Sequence, residues 1–489
     1  MRKKRQVTAP PEPPTTPLPT LGATQPAPGR VPEQRAGPGP TAVETPADLR
    51  TAVAGAVALL CLAAVLFEAT VDVLADESLF WALTPVRLVL GAGLVAVVVA
   101  RVPPWRLRTP LDLPVAVLLV AAAAATVLAR QDFAAWRGLL TSAATFYLVV
   151  GVRRALPGSW TSLGLLAMTA VTVAATTALR QSADGTATGF CRGTLDGSAD
   201  VCGPDVFVRV IGTFSNPNLL AAFLLLMVPV AAGGALMLAD RSSRLLGAAL
   251  VVVGFGALLL TGSRGGYVAA AAGTVAFVVL SNPTRRRLLI SAGATGVAAV
   301  LFLLAVTLGG SSVGVRADVW SAAVRLLVAN PLGVGPGRAG ALLGSGIAGE
   351  EAFQHAHNLW LNLALDTGML GLVAVLAITA LVTVAVIRGA RAGSPVAIAA
   401  GAGLAGYAVM SLADHPANAL RISLVLWTVL ALAVADAPSR LLRQGAIRRR
   451  GKADPPEPAD PSDLPTAVHP AVRPRAQRRT DARSRSGSR

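Results

Sequence analysis

The chain has 489 residues, 53% of them hydrophobic and only 14% charged, with a mean hydropathy of +0.60. A soluble domain of this size has no use for so much apolar surface, and the apolar residues come in continuous runs of roughly 18 to 22, the length that spans a bilayer as helix rather than as barrel strand. The net charge of +17 does not point to nucleic acid, because most of it sits in two tails and in short connections between the apolar runs, the pattern of lysine and arginine held on the cytoplasmic side.

The N-terminal stretch, opening "MRKKRQVTAPPEPPTTPLPT", is rich in Pro, Thr and Ala. It cannot bury a core and reads as a disordered basic cytoplasmic tail over 1–48. The first apolar run begins near residue 51, behind that polar tail, so no cleavable signal peptide is expected. Twelve or so spans follow, at about 51–70, 86–101, 112–129, 138–152, 162–179, 217–238, 245–262, 266–281, 288–307, 362–387, 395–413 and 420–437. Together they define a membrane domain over 49–438, followed by a second disordered basic tail over 439–489. The fold class is therefore an all-α polytopic membrane protein. The connections support an even count with both termini inside. "RVPPWRLRTP", "VRRALPGS", "DRSSR", "NPTRRRLL" and "RGARAG" each carry at least two arginines, whereas the alternate connections are poorer in positive charge for their length.

Two outer segments exceed what a connector needs. Segment 180–216 holds Cys191 and Cys202, which on an oxidising face are candidates for a disulfide; Cys61, inside the first span, reads as a small apolar residue. Segment 308–361, between spans nine and ten, places Val319, Trp320, Ala323, Leu326 and Leu327 at helical spacing. That pattern fits a helix lying in the membrane interface or one packed on the rest of the protein.

The expected spans are nearly free of ionisable groups, and the polar residues of interest collect at their outer ends. In "RVIGTFSNPN", Asn216 can cap the next helix and Pro217 suits its first turn, so Arg209, Asn216 and Asn218 surround a helix start able to receive phosphate oxygens. A well-capped helix is the plainer reading. "TGSRGG" puts Arg264 in a tight turn between two spans, as an anion contact or an interface anchor. Arg316 and Trp320 open the large loop. Gly333, Gly335 and Gly337 in "NPLGVGPG" loosely suggest a dinucleotide loop, but without a preceding strand they read as turns. "HAHNLWLNLALDTG" places two of the four histidines, His355 and His357, beside Asn358 at the mouth of a span. An imidazole there can take a proton from an alcohol. Asp366, nine residues on, would fall on the opposite face of a continuous helix, about 13 Å away, and is not paired with His357. His355 and His357 alone make no convincing metal site, and no nucleotide-binding loop is present.

"GTFSNPN" before a span, "SRGG" between two spans, "NPLGVGPG" in a large outer loop and then "HNLWLNLALDTGMLG" together resemble the O-antigen ligase family, a superfamily shared with O-antigen polymerases and bacterial protein O-oligosaccharyltransferases. The resemblance implies an inverting, metal-independent glycosyltransferase of the membrane-embedded C type, without a cofactor, in the bacterial cytoplasmic membrane. It implies a donor glycan on a polyprenyl diphosphate, a glycan or a lipid or wall acceptor, and a site on the outer face. Carried onto this chain, Arg264 and Arg209 fall among the arginines that hold the diphosphate, and His357 would activate or orient the acceptor hydroxyl, which makes His357 and Arg264 the expected catalytic residues. Beside these matches, the residues themselves offer Asn216, Asn218 and Arg316 as further diphosphate contacts and Asn358 and Trp320 as supporting groups on the acceptor side. Ligase and polymerase both remain open, and the competing class is a transporter of inorganic carbon or another small solute.

Overall fold

The computed structural model describes residues 46–73, 83–191, 207–238, 240–281, 286, 293, 311–344 and 355–435. The expected span at 288–307 apart from residue 293, Cys202, most of the expected N-terminal tail and all of the expected C-terminal tail lie outside them. Among the described residues the chain is all-helical, and from Asp48 onward it forms one compact unit. The helices are α1 (Pro46–Val71), α2 (Pro85–Val99), α3 (Pro104–Leu107), α4 (Asp112–Leu128), α5 (Ala134–Ala155), α6 (Ser159–Ala183), α7 (Pro217–Leu236), α8 (Arg241–Leu260), α9 (Arg264–Ser281), α10 (Ser311–Ala329), α11 (Ala339–Gly344), α12 (Leu359–Arg391), α13 (Pro395–Met410) and α14 (Leu420–Val434). Seven of them, α1, α5, α6, α7, α8, α9 and α12, are long and apolar enough to cross a membrane. The shorter apolar helices α2, α4, α13 and α14 coincide with further expected spans.

In hydrocarbon every backbone N–H and C=O must find its partner inside the segment, which is why these Ala-, Val- and Leu-rich runs are helical. Their starts are set by side-chain caps. Thr84, Asn216, Asn358 and Ser394 each accept a hydrogen bond from a first-turn N–H, and α2, α7 and α13 carry Pro in that turn. Small residues let the helices approach closely. A Cβ added to Gly164 of α6 would sit 2.5 Å from the Cα of Gly234 in α7, and one on Gly403 of α13 would meet the Leu226 carbonyl oxygen at 2.9 Å. α7 is the buried centre, with Leu220 through Met227 all inside the core.

α12 is broken. Gly368 has φ 72° and ψ −173°, dividing the helix into 359–367 and 369–391. The turn after α10 fits the break, with Met369 N–H donating to the Pro331 carbonyl and Val334 N–H to that of Leu365. Gly333, Gly335 and Gly337 all have positive φ, as turn residues do. The predicted face of α10 packs inward: Val319 and Ala323 are fully buried in a small cluster with Ala356 and Leu365, and Leu326 and Leu327 pack against it. Of the two readings for that face, packing on the protein is the one observed, and the exposed apolar side of the helix is instead Val324 and Val328.

Candidate active site

The bend that leads into α12 carries the histidines. His357 sits at φ 48°, a left-handed conformation in which few residues other than Gly, Asn, Asp and His are found. This bend, neither strand nor helix, brings together the two rings that a regular element would keep apart. His355 and His357 lie 4.5 Å apart between ring centroids, correcting the sequence view of them as poorly placed together. Asn358 holds the bend in place by capping α12 through Leu361 N–H and donating to the Leu412 carbonyl, both at 3.0 Å.

The Leu412 region supplies the partner that sequence reasoning missed. Asp414, in the turn between α13 and α14, receives His355 Nε2 at 3.1 Å, and His357 Nδ1 lies 3.9 Å from the same oxygen. Burial works to raise the Asp414 pKa, but the hydrogen bonds and charges of His355 and His357 outweigh it and hold the carboxyl well below the usual carboxylate range. His415 follows, its ring 5.8 Å from that of His355. It is buried, and burial, reinforced by the charge of His355, pushes its pKa down to about 3. The signal was present in "ADHPAN": an acid and a third histidine in a connection assigned to the same side as His357. Asp366 bonds the Asn362 amide at 2.8 Å and takes no part in the His355–Asp414 contact.

The second oxygen of Asp414 accepts from Asn218 Nδ2 at 3.1 Å, and the Asn218 carbonyl oxygen accepts from Arg209 Nη2 at 3.2 Å. One amide thus joins an arginine to the histidine-bearing carboxylate. Arg209 also donates through Nε to the Thr261 carbonyl at 2.8 Å, lying across the turn that leads to Arg264. Gly262 makes room there, since a Cβ would fall 3.0 Å from the Arg209 side chain. Burial lowers the Arg209 pKa; Tyr267 opposes this and the neighbouring charge of Arg264 adds to it. The guanidinium stays charged all the same. Among the described residues no carboxylate pairs with either arginine. Two neighbouring cations without a carboxylate partner are a candidate anion site, and Arg264 is exposed.

Arg421, at the start of α14, pins the loop that carries Arg209. Its guanidinium lies 4.3 Å from the Phe214 ring, donates to the Thr213 carbonyl at 2.9 Å and to the Ala69 carbonyl at 3.1 Å, and pairs with Asp72 at 3.3 Å. The other sequence candidates are placed differently. Asn216 spends its side-chain oxygen on the Asn218 N–H as the cap of α7. Arg316 and Trp320 lie on α10; Arg316 is half-buried and the Trp320 indole N–H is buried without a partner. Cys191 is disulfide-bonded, while Cys61 is free. Two imidazoles and a carboxylate are also a cation-binding set, and the donor atoms of His355, His357 and Asp414 lie within 4.8 Å of one another.

The comparisons with known proteins bear on this cluster. No match to a curated protein was found. Residues 249–376, about a quarter of the chain, match the family model described as O-Antigen ligase. The matched segment holds Arg264, Arg316, Trp320, His357 and Asn358; Arg209, Asn218 and Asp414 fall outside it. The matched segment is thus similar to the O-antigen ligase family, in a chain whose described residues include seven helices long and apolar enough to cross a membrane.

Proposed function

We propose that this protein moves a glycan from a polyprenyl diphosphate to an acceptor hydroxyl at the outer face of the bacterial cytoplasmic membrane, in the assembly of an envelope polysaccharide. In this reading it has twelve spans with both termini inside and the membrane-embedded C-type transferase fold. The basic segments 1–48 and 439–489 are cytoplasmic tails, and Cys191 pairs with Cys202. The single observation that carries the reading is the hydrogen-bonded chain from Arg209 through Asn218 and Asp414 to His355, with Arg264 and His357 at its two ends.

The chemistry follows from those residues. His357, the more exposed of the two rings, takes the proton from the acceptor hydroxyl as its oxygen attacks the anomeric carbon. The bond from that carbon to the diphosphate breaks, and a direct displacement inverts the centre. Asp414 stabilises the imidazolium that forms. Arg209 and Arg264 meet the charge developing on the diphosphate, which is the leaving group and makes a nucleotide unnecessary. Neither a metal nor a cofactor enters.

The test compares lipid-linked and envelope-bound glycans in cells carrying the wild type, Arg264→Gln or His357→Asn, asparagine being chosen because it tolerates a positive φ. Accumulated single lipid-linked units in the variants identify a polymerase. Long lipid-linked chains with an undecorated envelope identify a ligase. Unchanged glycans in variants that insert normally refute the transferase and return a transporter to first place.

A further inference from the structure

The bend before α12 and the α13–α14 turn together make a ligand set. His355 Nε2 stands 3.1 Å and His357 Nδ1 3.9 Å from Asp414 Oδ1, and the three donor atoms lie within 4.8 Å of one another. Zinc takes imidazole nitrogen and carboxylate oxygen at about 2.0–2.2 Å, so a tetrahedral shell spaces its ligand atoms roughly 3.3 Å apart. The separations of 3.1 and 3.9 Å straddle that spacing, and small side-chain movements close the set on one ion. Imidazole nitrogens favour zinc over magnesium and calcium, which take oxygen ligands.

The set is also held and reachable, as a metal site must be. Asp414 Oδ1 accepts from the His415 backbone N–H at 2.7 Å and Oδ2 from Asn218 Nδ2 at 3.1 Å, which fixes the carboxylate from outside. Asn358 fixes the bend by capping α12 through Leu361 N–H. The side chains are partly exposed, His355 to 15%, Asp414 to 17% and His357 to 29%, which leaves an ion a way in. To bind, His355 gives up its hydrogen bond to Asp414 by moving its ring proton from Nε2 to Nδ1. That nitrogen is buried without a partner, so the move breaks no hydrogen bond there. Among the described residues the set has three members, which leaves a fourth zinc position to water.

We propose that His355, His357 and Asp414 form a zinc site, and that the bound ion switches the transfer off. The inhibition rests on the transferase reading above; the zinc site does not. A neutral imidazole has one lone pair. When His357 gives that pair to zinc through Nδ1, its proton sits on Nε2, and no nitrogen remains to take the proton of the acceptor hydroxyl. Asp414, now a metal ligand, no longer stands ready to stabilise an imidazolium. Each ion bound therefore removes one base, and its departure returns it. The transfer itself still needs no metal; zinc acts against it.

The test uses the full-length protein without a polyhistidine tag, solubilised in detergent, stripped with a chelator and titrated with zinc chloride. We expect one tightly bound zinc per chain and an X-ray absorption spectrum with two imidazoles in the shell. Tm should rise as zinc is added, because only the folded chain gathers the ligands. His355→Gln, whose metal-free Tm reports its folding, should weaken zinc binding at least about tenfold, no less than loss of an outer-shell partner does. Magnesium should not compete. In washed membranes saturating zinc should abolish transfer, and excess chelator should restore it. Zinc bound equally well by folded His355→Gln, or a shell without the imidazole pair, overturns the site; if the variant does not fold, the wild-type spectrum decides alone. Full transfer with the site filled overturns the inhibition, as does transfer that requires zinc. Membranes inactive with and without zinc refute the transferase reading and the inhibition with it, while the zinc site is judged on binding alone.

Discussion

Asp414→Asn is the change with the most closely specified outcome. The replacement keeps the size and one carbonyl oxygen, which can still accept from His355. The position that was Oδ2 becomes an NH₂ facing Asn218 Nδ2, donor against donor, where 3.1 Å now separates donor from acceptor. Asn218 can turn its amide to relieve this, but it then presents NH₂ to Arg209 Nη2, 3.2 Å from its present oxygen. One mismatched contact therefore survives whichever way the amide points. A hydrogen bond to a charged group is worth about 1.5–3 kcal/mol, and the imidazolium formed during reaction also loses its counter-charge. The expected result is a fall in transfer rate of roughly 10- to 150-fold, with the variant inserted at the wild-type level. The assay is transfer from a lipid-linked donor in washed membranes, with rate and donor KM measured separately. A rate within twofold of wild type, an allowance far below that range, would refute the network as a working unit.

Acid stability should carry the signature of His415. It stays neutral in the fold down to about pH 3, whereas a free histidine titrates near 6.5. Between those values the unfolded chain binds a proton that the folded chain does not, so stability falls as pH falls through that window. The Tm of the detergent-solubilised protein should drop across it, and less steeply in His415→Asn; identical slopes would contradict the assignment. Gly368→Ala should prevent accumulation of folded protein, since φ 72° with ψ −173° suits only glycine and a Cβ would lie 2.5 Å from the Leu332 carbonyl carbon. Normal expression and Tm would show that the break is dispensable. Chelation should leave transfer unchanged, and activity lost to a chelator and restored by one divalent cation would make His355, His357 and Asp414 a metal centre.

The membrane helices were legible because burial in hydrocarbon leaves an unmistakable mark, a long apolar run. Arg209, Arg264 and His357 were legible because short motifs set them at the ends of such runs. Asp414 was not. It stands 57 residues after His357, and their meeting depends on how the α13–α14 turn packs against a bend with no regular period. The break in α12 was hidden for a related reason. "LDTGMLG" reads as a helix interior, and only the docking of Pro331 and Leu332 gives Gly368 its conformation. The face of α10 was found by its spacing, but spacing alone does not say whether an apolar face meets lipid or protein.

Arg421 sets a schedule for biogenesis. The loop with Arg209 emerges early in synthesis, yet the side chain that fastens it comes from α14, more than two hundred residues later, and the carboxylate that joins it to the histidines comes from the turn just before that helix. A nascent chain that has inserted every helix through α12 would thus hold its arginines and histidines in the membrane with nothing to join them. On the transferase reading, activity would arrive with α14, and a product cut short before Leu420 would be inert however well it inserted.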